Sequence, residues 1–394
     1  MKILVTSLPD IRRIPVQRPH HLLLHLTETH DVSVRCVQSN RDLPRQDPFI
    51  EDLVQRLDFR YLTGKQKNPA IQELAWAFRR SLSRELHEGA YDVHLNLNSL
   101  LAGSRVASLL SAEGIPTILD IGDDLPATFA ENAPVPSWIS GLITPVSTRM
   151  LQRSIRSVAA LTYITEVLAE KYHFPARIST RIPNGVDCTL FCPSAATRFR
   201  ENRGMDPEEY VFGTMGHLNR WVDLETPLLA LRSLVREGRI VRMLVVGGGE
   251  YLPWYRKMAG DLGIADRVTF TGPVSYAKGP ALIQAMDLCL LCRKPTPASQ
   301  ASLPMKVFEF MACGKPVLAT PLAGVRETFG DHVAYAGTPG EVASSLSHFM
   351  DHRDAAMTAG AANRAFVEKD YTWEKICTRF DRVLEGVASH ATAR

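Results

Sequence analysis

Long apolar runs are missing from this chain. None of its 394 residues lies in a stretch approaching the roughly 20 needed to span a bilayer as a helix. The opening MKILVTSLPD has one lysine, an apolar run too short for a secretory signal and no cleavage site, so no leader is expected. Charge of one sign is lacking as well. Forty-five Lys and Arg against 42 Asp and Glu leave a net charge of +3, which argues against a dedicated nucleic-acid binder. The seven cysteines are scattered and odd in number, which fits a reducing cytoplasm rather than a disulfide framework. Cys289 and Cys292 form a C-x-x-C in DLCLLC. On a strand, residues three apart face opposite sides, so the pair reads as two small core residues. His21 and His25 have metal-like spacing but no evident third ligand, and no metal site is expected. There is no low-complexity tract and no short repeat, and no Ser/His/Asp or Cys/His constellation stands out locally.

What is present is ordinary in bulk and regular in order. Hydrophobic residues make up 45% and charged residues 22%, the balance of a globular chain long enough for two or three domains. Strand and helix patterns alternate throughout. KILVTS (2–7), VSVRCV (32–37), VHLNL (93–97), PTILDI (116–121) and ALTYIT (161–166 or one earlier) read as strands. Several are continuous apolar runs, the mark of parallel strands buried on both faces. Helical patterns fall at 70–87, 102–113 and 146–158, while the proline-rich stretch from Ala130 to Pro145 reads as a surface loop. After the turn signals of TRIPNGVDCTLFCP a second set follows: VFGTMG (211–216), VRMLVVGG (241–248), RVTFTG (267–272), LCLLC (288–292) and PVLAT (316–320). Three helices close the chain, the last from about Thr372 to Val387. The fold class expected is α/β, with two Rossmann-like doubly wound domains facing a central cleft. Their expected bounds are 1–183 and 184–371, with residues 372–394 as a terminal helix.

The segment SLPMKVFEFMACGKPVLAT (302–320) reads as a turn, a short helix and a buried strand. Ser302 is its candidate cap, and Pro304 suits the first turn. Such a helix start offers N–H groups and a positive dipole end to a phosphate. Lys306 and Glu309 share one helical face. Glu309 can accept hydrogen bonds from sugar hydroxyls, or the two can pair with each other. Gly216 ends the first strand of the second domain and lets a diphosphate approach the backbone. Arg220 is a candidate counter-charge or a solvated arginine, and Asp223 can cap the next helix. VVGGGE (245–250) lacks dinucleotide-site spacing, and close strand–helix packing explains its glycines equally well. In the first domain Arg12, Arg13 and Arg18 follow strand one, and can bind an anionic substrate or face water. Asp120, Asp123 and Asp124 end a strand, where carboxylates bind hydroxyls, act as a base, or cap a turn.

These motifs together resemble the nucleotide-sugar glycosyltransferases of the GT-B type, most closely glycosyltransferase family 4, over nearly the whole chain. RIPNGVDCTLF, GHLNRWVDLETPLLA, VTFTGPVSYAKG and YTWEKICTRFDRV each follow a family segment, and KVFEFMACGKPVLAT follows the donor-binding run most specifically. The resemblance implies sugar transfer from a nucleotide diphosphate sugar to a hydroxyl acceptor, retaining and without metal or other cofactor. It also implies that the terminal helix crosses back to the first domain. By position, Gly216, His217 and Asp223 belong to the donor loop, and Gly272 and Val274 lie at the base. Leu303, Pro304 and Met305 face the diphosphate and sugar, and Glu309 holds the ribose. Lys306 and Arg220 supply diphosphate charge, and Asp123 or Asp124 positions the acceptor hydroxyl. Arg12, Arg13, Arg18 and His20 line the acceptor side.

The departures are specific. Ala301 stands where the family has a second glutamate, His217 where it has arginine, Val222-Asp223 where it has Lys-Gly, and Pro304 where it has glycine. R-P-x-H, D-x-x-D-D, G-x-L-x-x-W-x-D and P-x-K-x-x-E resemble a branch of bacterial polysaccharide and cell-surface transferases. Arg18, Asp120, Asp123, Asp124, Trp221, Asp223 and Lys306 fit that branch. The acceptor class is a sugar, a lipid-linked molecule or a small hydroxyl compound. The expected location is the cytoplasm, with peripheral contact at the inner face of the membrane left open by the basic, apolar STRMLQRSIRSV and AWAFRRSLSREL. Rival readings are a sugar-nucleotide epimerase of the same fold and a non-catalytic glycosyltransferase-like binding subunit.

Overall fold

A computed structural model of the chain describes residues 1–7, 10–39, 47–66, 91–97, 106–107, 110–132, 137–193, 199–202 and 204–392. Two compact units emerge. The first comprises Met1–Pro183, Ala301–Leu303 and Glu374–Arg394, the second Asn184–Gln300 and Pro304–Trp373. The helix expected at 70–87, with AWAFRRSLSREL inside it, lies outside the described residues. So does most of the one expected at 102–113.

In the first unit the strands are β1 (Lys2–Ser7), β2 (Asp31–Ser39), β3 (Asp58–Gln66), β4 (Val93–Leu97), β5 (Thr117–Ile121), β6 (Ala160–Tyr163) and β7 (Ser179–Arg181). They pair in parallel in the order β3-β2-β1-β4-β5-β6-β7. β4 and β5 are buried at every position, and enclose the polar His94, Asn96, Thr117 and Asp120 along with their apolar residues. β3 and β7 escape the apolar-run signal. They close the two sheet edges and carry polar residues that can face water. The helices are α1 (Arg18–Leu26), α2 (Pro48–Gln55), α3 (Leu125–Asn132), α4 (Ser137–Arg156) and α5 (Glu166–Tyr172).

α4 corrects the reading of Ala130–Pro145 as a loop: the helix runs through Pro145. A mid-helix proline removes one i→i−4 bond, here to the carbonyl of Gly141. Gly141 is exposed, so water can take the place of the lost donor.

The second unit repeats the plan with β8 (Tyr210–Met215), β9 (Val241–Val246), β10 (Val268–Phe270), β11 (Leu288–Leu291), β12 (Val317–Ala319) and β13 (Ala334–Tyr335), ordered β10-β9-β8-β11-β12-β13. Its helices are α6 (Phe199–Asn202), α7 (Glu225–Arg236), α8 (Leu252–Asp261), α9 (Gly279–Gln284), α10 (Pro297–Gln300), α11 (Met305–Ala312), α12 (Ala323–Phe329), α13 (Pro339–Asp351) and α14 (Arg353–Asp370). Phe212, Leu228, Leu231, Met243, Val245 and Leu288 are all fully buried in its core. The terminal helix α15 (Trp373–Thr392) belongs from Glu374 onward to the first unit, where Ile376, Phe380 and Leu384 are buried.

In each sheet the strand order reverses beside the first strand of its unit, between β1 and β4 and between β8 and β11. A doubly wound sheet opens a crevice at the carboxyl ends of its strands at such a switch point.

Candidate functional site

At the switch point of the second unit, β8 runs out at Met215 and Gly216 follows with φ 150°. Its backbone is held from below: the Gly216 N–H donates to the Val246 carbonyl at 2.9 Å, and Leu218 N–H donates to Gly248 at 2.8 Å. Gly247, at φ 122°, donates to the Gly272 carbonyl at 3.1 Å. A Cβ on Gly247 would collide with the Gly216 carbonyl. The glycines of VVGGGE are therefore there for close backbone packing, the second of the two readings of that motif. The lock fixes the loop after β8 at the mouth of the crevice.

The loop after β11 is tied to the same place. Val222 bridges Arg293, Asp223 N–H donates to the Cys292 carbonyl at 3.3 Å, and Lys294 N–H donates to Trp221 at 2.9 Å. Asp223 itself sits just before α7. Its carboxylate accepts from the Thr226 N–H at 3.2 Å and the Thr226 hydroxyl at 2.7 Å, so it caps as expected and is committed to that task. His217 pairs with Glu250 at 3.1 Å. Arg220 is exposed and lies 6.0 Å over the Trp221 ring. Val274 is 36% exposed on the turn after Gly272.

α11 delivers the central charge. Its N-cap is Pro304 and no side chain caps it, so Ser302 is not the cap and Pro304 stands one position before the first turn. The Val307 N–H donates to the Pro304 carbonyl at 3.2 Å, which tightens the helix start. A buried leucine precedes it, Leu303, which falls with the first unit, while Pro304 and Met305 fall with the second. The Lys306 ammonium lies on the bare backbone of Gly216, where a Cβ would strike its Nζ. The residue is half-buried there. That burial lowers its pKa to about 8, and the nearby Arg293 guanidinium pushes the same way. Glu309, one turn on, is 5% exposed. Burial raises its carboxyl to about 7, against the pull of Lys306 and a hydrogen bond involving Tyr276. The two do not pair: among the described residues Lys306 makes no ion pair. Arg293 escapes sequence reasoning because only the tertiary fold brings it from β11 to α11. A cation just past the carboxyl end of a strand beside the switch point was the one available signal.

In the first unit Arg18, His20, Asp120 and Asp124 turn inward. Arg18 is 4% exposed, grips Asp120 through Nε at 3.0 Å and Nη2 at 2.7 Å, and donates to the Pro183 carbonyl at 2.9 Å. Asp120 also accepts from the Thr162 hydroxyl at 2.6 Å. This corrects the placement of Arg18 on a solvent-facing loop: it opens α1 with its guanidinium spent on the fold. His20 is fully buried. Its Nδ1 accepts from Gln17 N–H at 3.0 Å, which leaves Nε2–H to donate to the Ile11 carbonyl at 2.8 Å. Burial lowers its pKa and keeps it neutral, so a role in holding an anionic acceptor is corrected to a role in the α1 cap.

Asp124 is also fully buried, before α3. It accepts from Ala127 N–H at 3.1 Å, Lys171 at 2.5 Å and the Tyr172 hydroxyl at 2.5 Å. It caps and anchors, and an acceptor hydroxyl finds no lone pair turned outward there. Asp123 is exposed beside it. Arg12 lies 5.6 Å over the Phe59 ring, and Arg13 is 3.8 Å from Asp10. His21 packs on Phe49 at 5.2 Å, and His25 pairs with Asp381 of α15 at 2.8 Å.

Residues 196–376 match the family of glycosyl transferases group 1. The GDP-mannose-dependent alpha-(1-6)-phosphatidylinositol monomannoside mannosyltransferase of Mycobacterium tuberculosis (strain H37Rv) is 29% identical over 257 residues. That match covers 61% of this chain and 66% of the relative, just under two thirds of its length. The 2-deoxystreptamine glucosyltransferase of Streptomyces kanamyceticus is 26% identical over 292 residues, 71% of this chain and 72% of that one. Among solved structures, Anabaena Alr3699/HepE in complex with UDP superposes with a TM-score of 0.75 at 19% identity, covering 98% of this chain and all of that one. At that identity the likeness speaks for the fold. Residues 196–376 thus resemble a group 1 glycosyltransferase domain, and the chain that carries them has the GT-B fold.

Proposed function

We propose that this protein is a glycosyltransferase that moves a sugar from a nucleoside diphosphate sugar to a hydroxyl acceptor. One observation carries the reading. At the switch point of the second unit a half-buried ammonium, Lys306, rests on a glycine backbone without an ion pair, with a buried carboxylate one helical turn away. A diphosphate is the ligand that matches it. Its charge would restore Lys306 to full protonation, and Arg293 and Arg220 are the further cations of these loops. The short, uncapped start of α11 adds the N–H of Met305 and a dipole end. Glu309 would accept from the ribose hydroxyls, with Gly272 and Val274 beside the base.

In this mechanism the leaving diphosphate gathers charge as the glycosidic bond breaks. Preformed cations in a poorly solvated site stabilise that charge without reorganising. No metal or other cofactor is needed when protein cations do this, and transfer would retain configuration. Asp123 is the exposed carboxylate left to position the acceptor, with Arg12 and Arg13 on the loop after β1. The two named relatives refer in their names to a phosphatidylinositol mannoside and to a deoxystreptamine. A polyol or cyclitol-bearing acceptor, free or lipid-linked, follows from them, in cell-surface polysaccharide or glycolipid assembly on the cytoplasmic side.

The test is a thermal-shift panel of UDP, GDP, ADP and their sugar conjugates, with magnesium and with a chelator. A ligand at a hundred times its dissociation constant adds about 2.7 kcal/mol of stability. One hit, unchanged by the chelator and lost in Lys306→Met, supports the site. No hit from any nucleotide overturns it.

A further inference from the structure

Exposed large apolar side chains are few among the described residues, and two of them, Leu142 and Val146, lie one turn apart on α4 at 62% and 50% exposure. Arg149, Arg153 and Arg156 follow on the same helix, all exposed. At 3.6 residues per turn, Leu142, Pro145, Val146 and the three arginines fall within an arc of roughly 100°. The opposite side carries Ser147, Leu151, Ser154 and Ile155, all buried. The helix is thus seated by one face and leaves a ridge about 21 Å long, apolar at its N-terminal half and cationic at its C-terminal half.

The ridge has no internal neutralisation. Ser137–Arg156 contains no Asp or Glu, and no described residue forms an ion pair with any of the three arginines. α3, which packs against α4, brings one carboxylate, Glu131, in its last turn.

We propose that this ridge of α4 docks the protein on an anionic lipid bilayer. Leu142 and Val146 enter the interface, and Arg149, Arg153 and Arg156 meet lipid phosphates. A bilayer is the occupant that fits. A specific protein partner needs about 800 Å² per side, far more than a single convex helix face with two apolar side chains supplies. A lipid surface asks only for apolar tips and unpaired cations on one side of a helix. The proposal stands on the geometry of α4 and does not depend on the transferase reading.

Co-sedimentation of the full chain with vesicles tests it. Phosphatidylcholine vesicles serve as the neutral probe and phosphatidylcholine–phosphatidylglycerol mixtures as the anionic one. Binding to the anionic vesicles is expected, much weaker on the neutral ones and falling with added salt. Each arginine near an anionic surface is worth about fivefold, so the triple change Arg149→Gln, Arg153→Gln, Arg156→Gln is expected to cut partitioning roughly a hundredfold. Leu142→Ser with Val146→Ser reduces it while leaving the salt dependence in place. Unchanged thermal melting of both variants shows that the fold survives. No binding by the wild type, equal binding to both vesicle types, or full binding by the triple variant overturns the proposal. Salt-sensitive binding of an acidic protein or a nucleic acid through the same arginines, without vesicle binding, overturns it as well.

Discussion

The two units share a plan and treat their charges in opposite ways. In the first, polar groups at the strand ends find each other: Arg18 with Asp120, Asp124 with Lys171 and Tyr172, His20 with Gln17 and Ile11. In the second, Glu309 is buried and Lys306 half-buried beside it, yet the two make no ion pair with one another. A buried charge without its partner is costly, and a fold keeps one where a ligand supplies the missing half. Paired charges thus mark structure in one unit, and unpaired ones a candidate binding site in the other.

That contrast breaks down, or sharpens, under substitution. The largest effect is expected from Arg18→Ala. It strands the buried Asp120 and costs about 3–5 kcal/mol of stability, read by denaturant unfolding. A loss below about 1 kcal/mol would mean that the pair is no structural anchor. Lys306→Met removes a half-buried cation, with the opposite pattern. Unfolding stability is unchanged or higher, while nucleoside diphosphate affinity falls by at least about 1.5 kcal/mol, roughly tenfold, by calorimetry. A destabilised protein that binds as before would place Lys306 with Arg18. Asp124→Ala removes the cap of α3 and is expected to cost about 1 kcal/mol or somewhat more, with nucleotide binding intact.

The smallest effect is a pH slope. Glu309 is raised to about 7 from 4.5, so between those values the folded chain holds a proton that the unfolded chain has released. Its contribution to stability is complete below pH 4.5 and is lost as pH rises through 7. Lys306 is lowered to about 8 from 10.5, so the unfolded chain binds the extra proton there and stability recovers across that window. The ligand-free protein is therefore least favoured by these two groups between about pH 7 and 8, where both are charged. Melting curves of Glu309→Gln lack the decline below pH 7. A wild-type decline that persists in the variant would assign it to another group.

Much of this was legible in the chain. Buried parallel strands announce themselves where both faces are apolar, and β1, β4 and β8 to β12 fall within a residue or two of the segments read as strands. Edge strands β3, β7 and β13 do not, while β10 is read although it too lies at an edge. Pro145 hid the first two turns of α4, for the water-exposed Gly141 carbonyl makes its loss tolerable. For the site, Gly216, Lys306 and Glu309 were found because one helix and one strand end carry them. Arg293 was not, and neither was the Arg18–Asp120 pair, whose members are 102 positions apart. No local pattern tells a cation that will be satisfied from one that waits.

The placement of α15 has a bearing on how the protein is made. Residues 1–183 leave the ribosome first, yet the helix that buries Ile376, Phe380 and Leu384 among them, and sets Asp381 against His25, is translated after the whole of the second unit. The first unit must wait for nearly 200 residues of unrelated sequence before its own surface is closed, and the second unit has the means to finish folding before the one that precedes it.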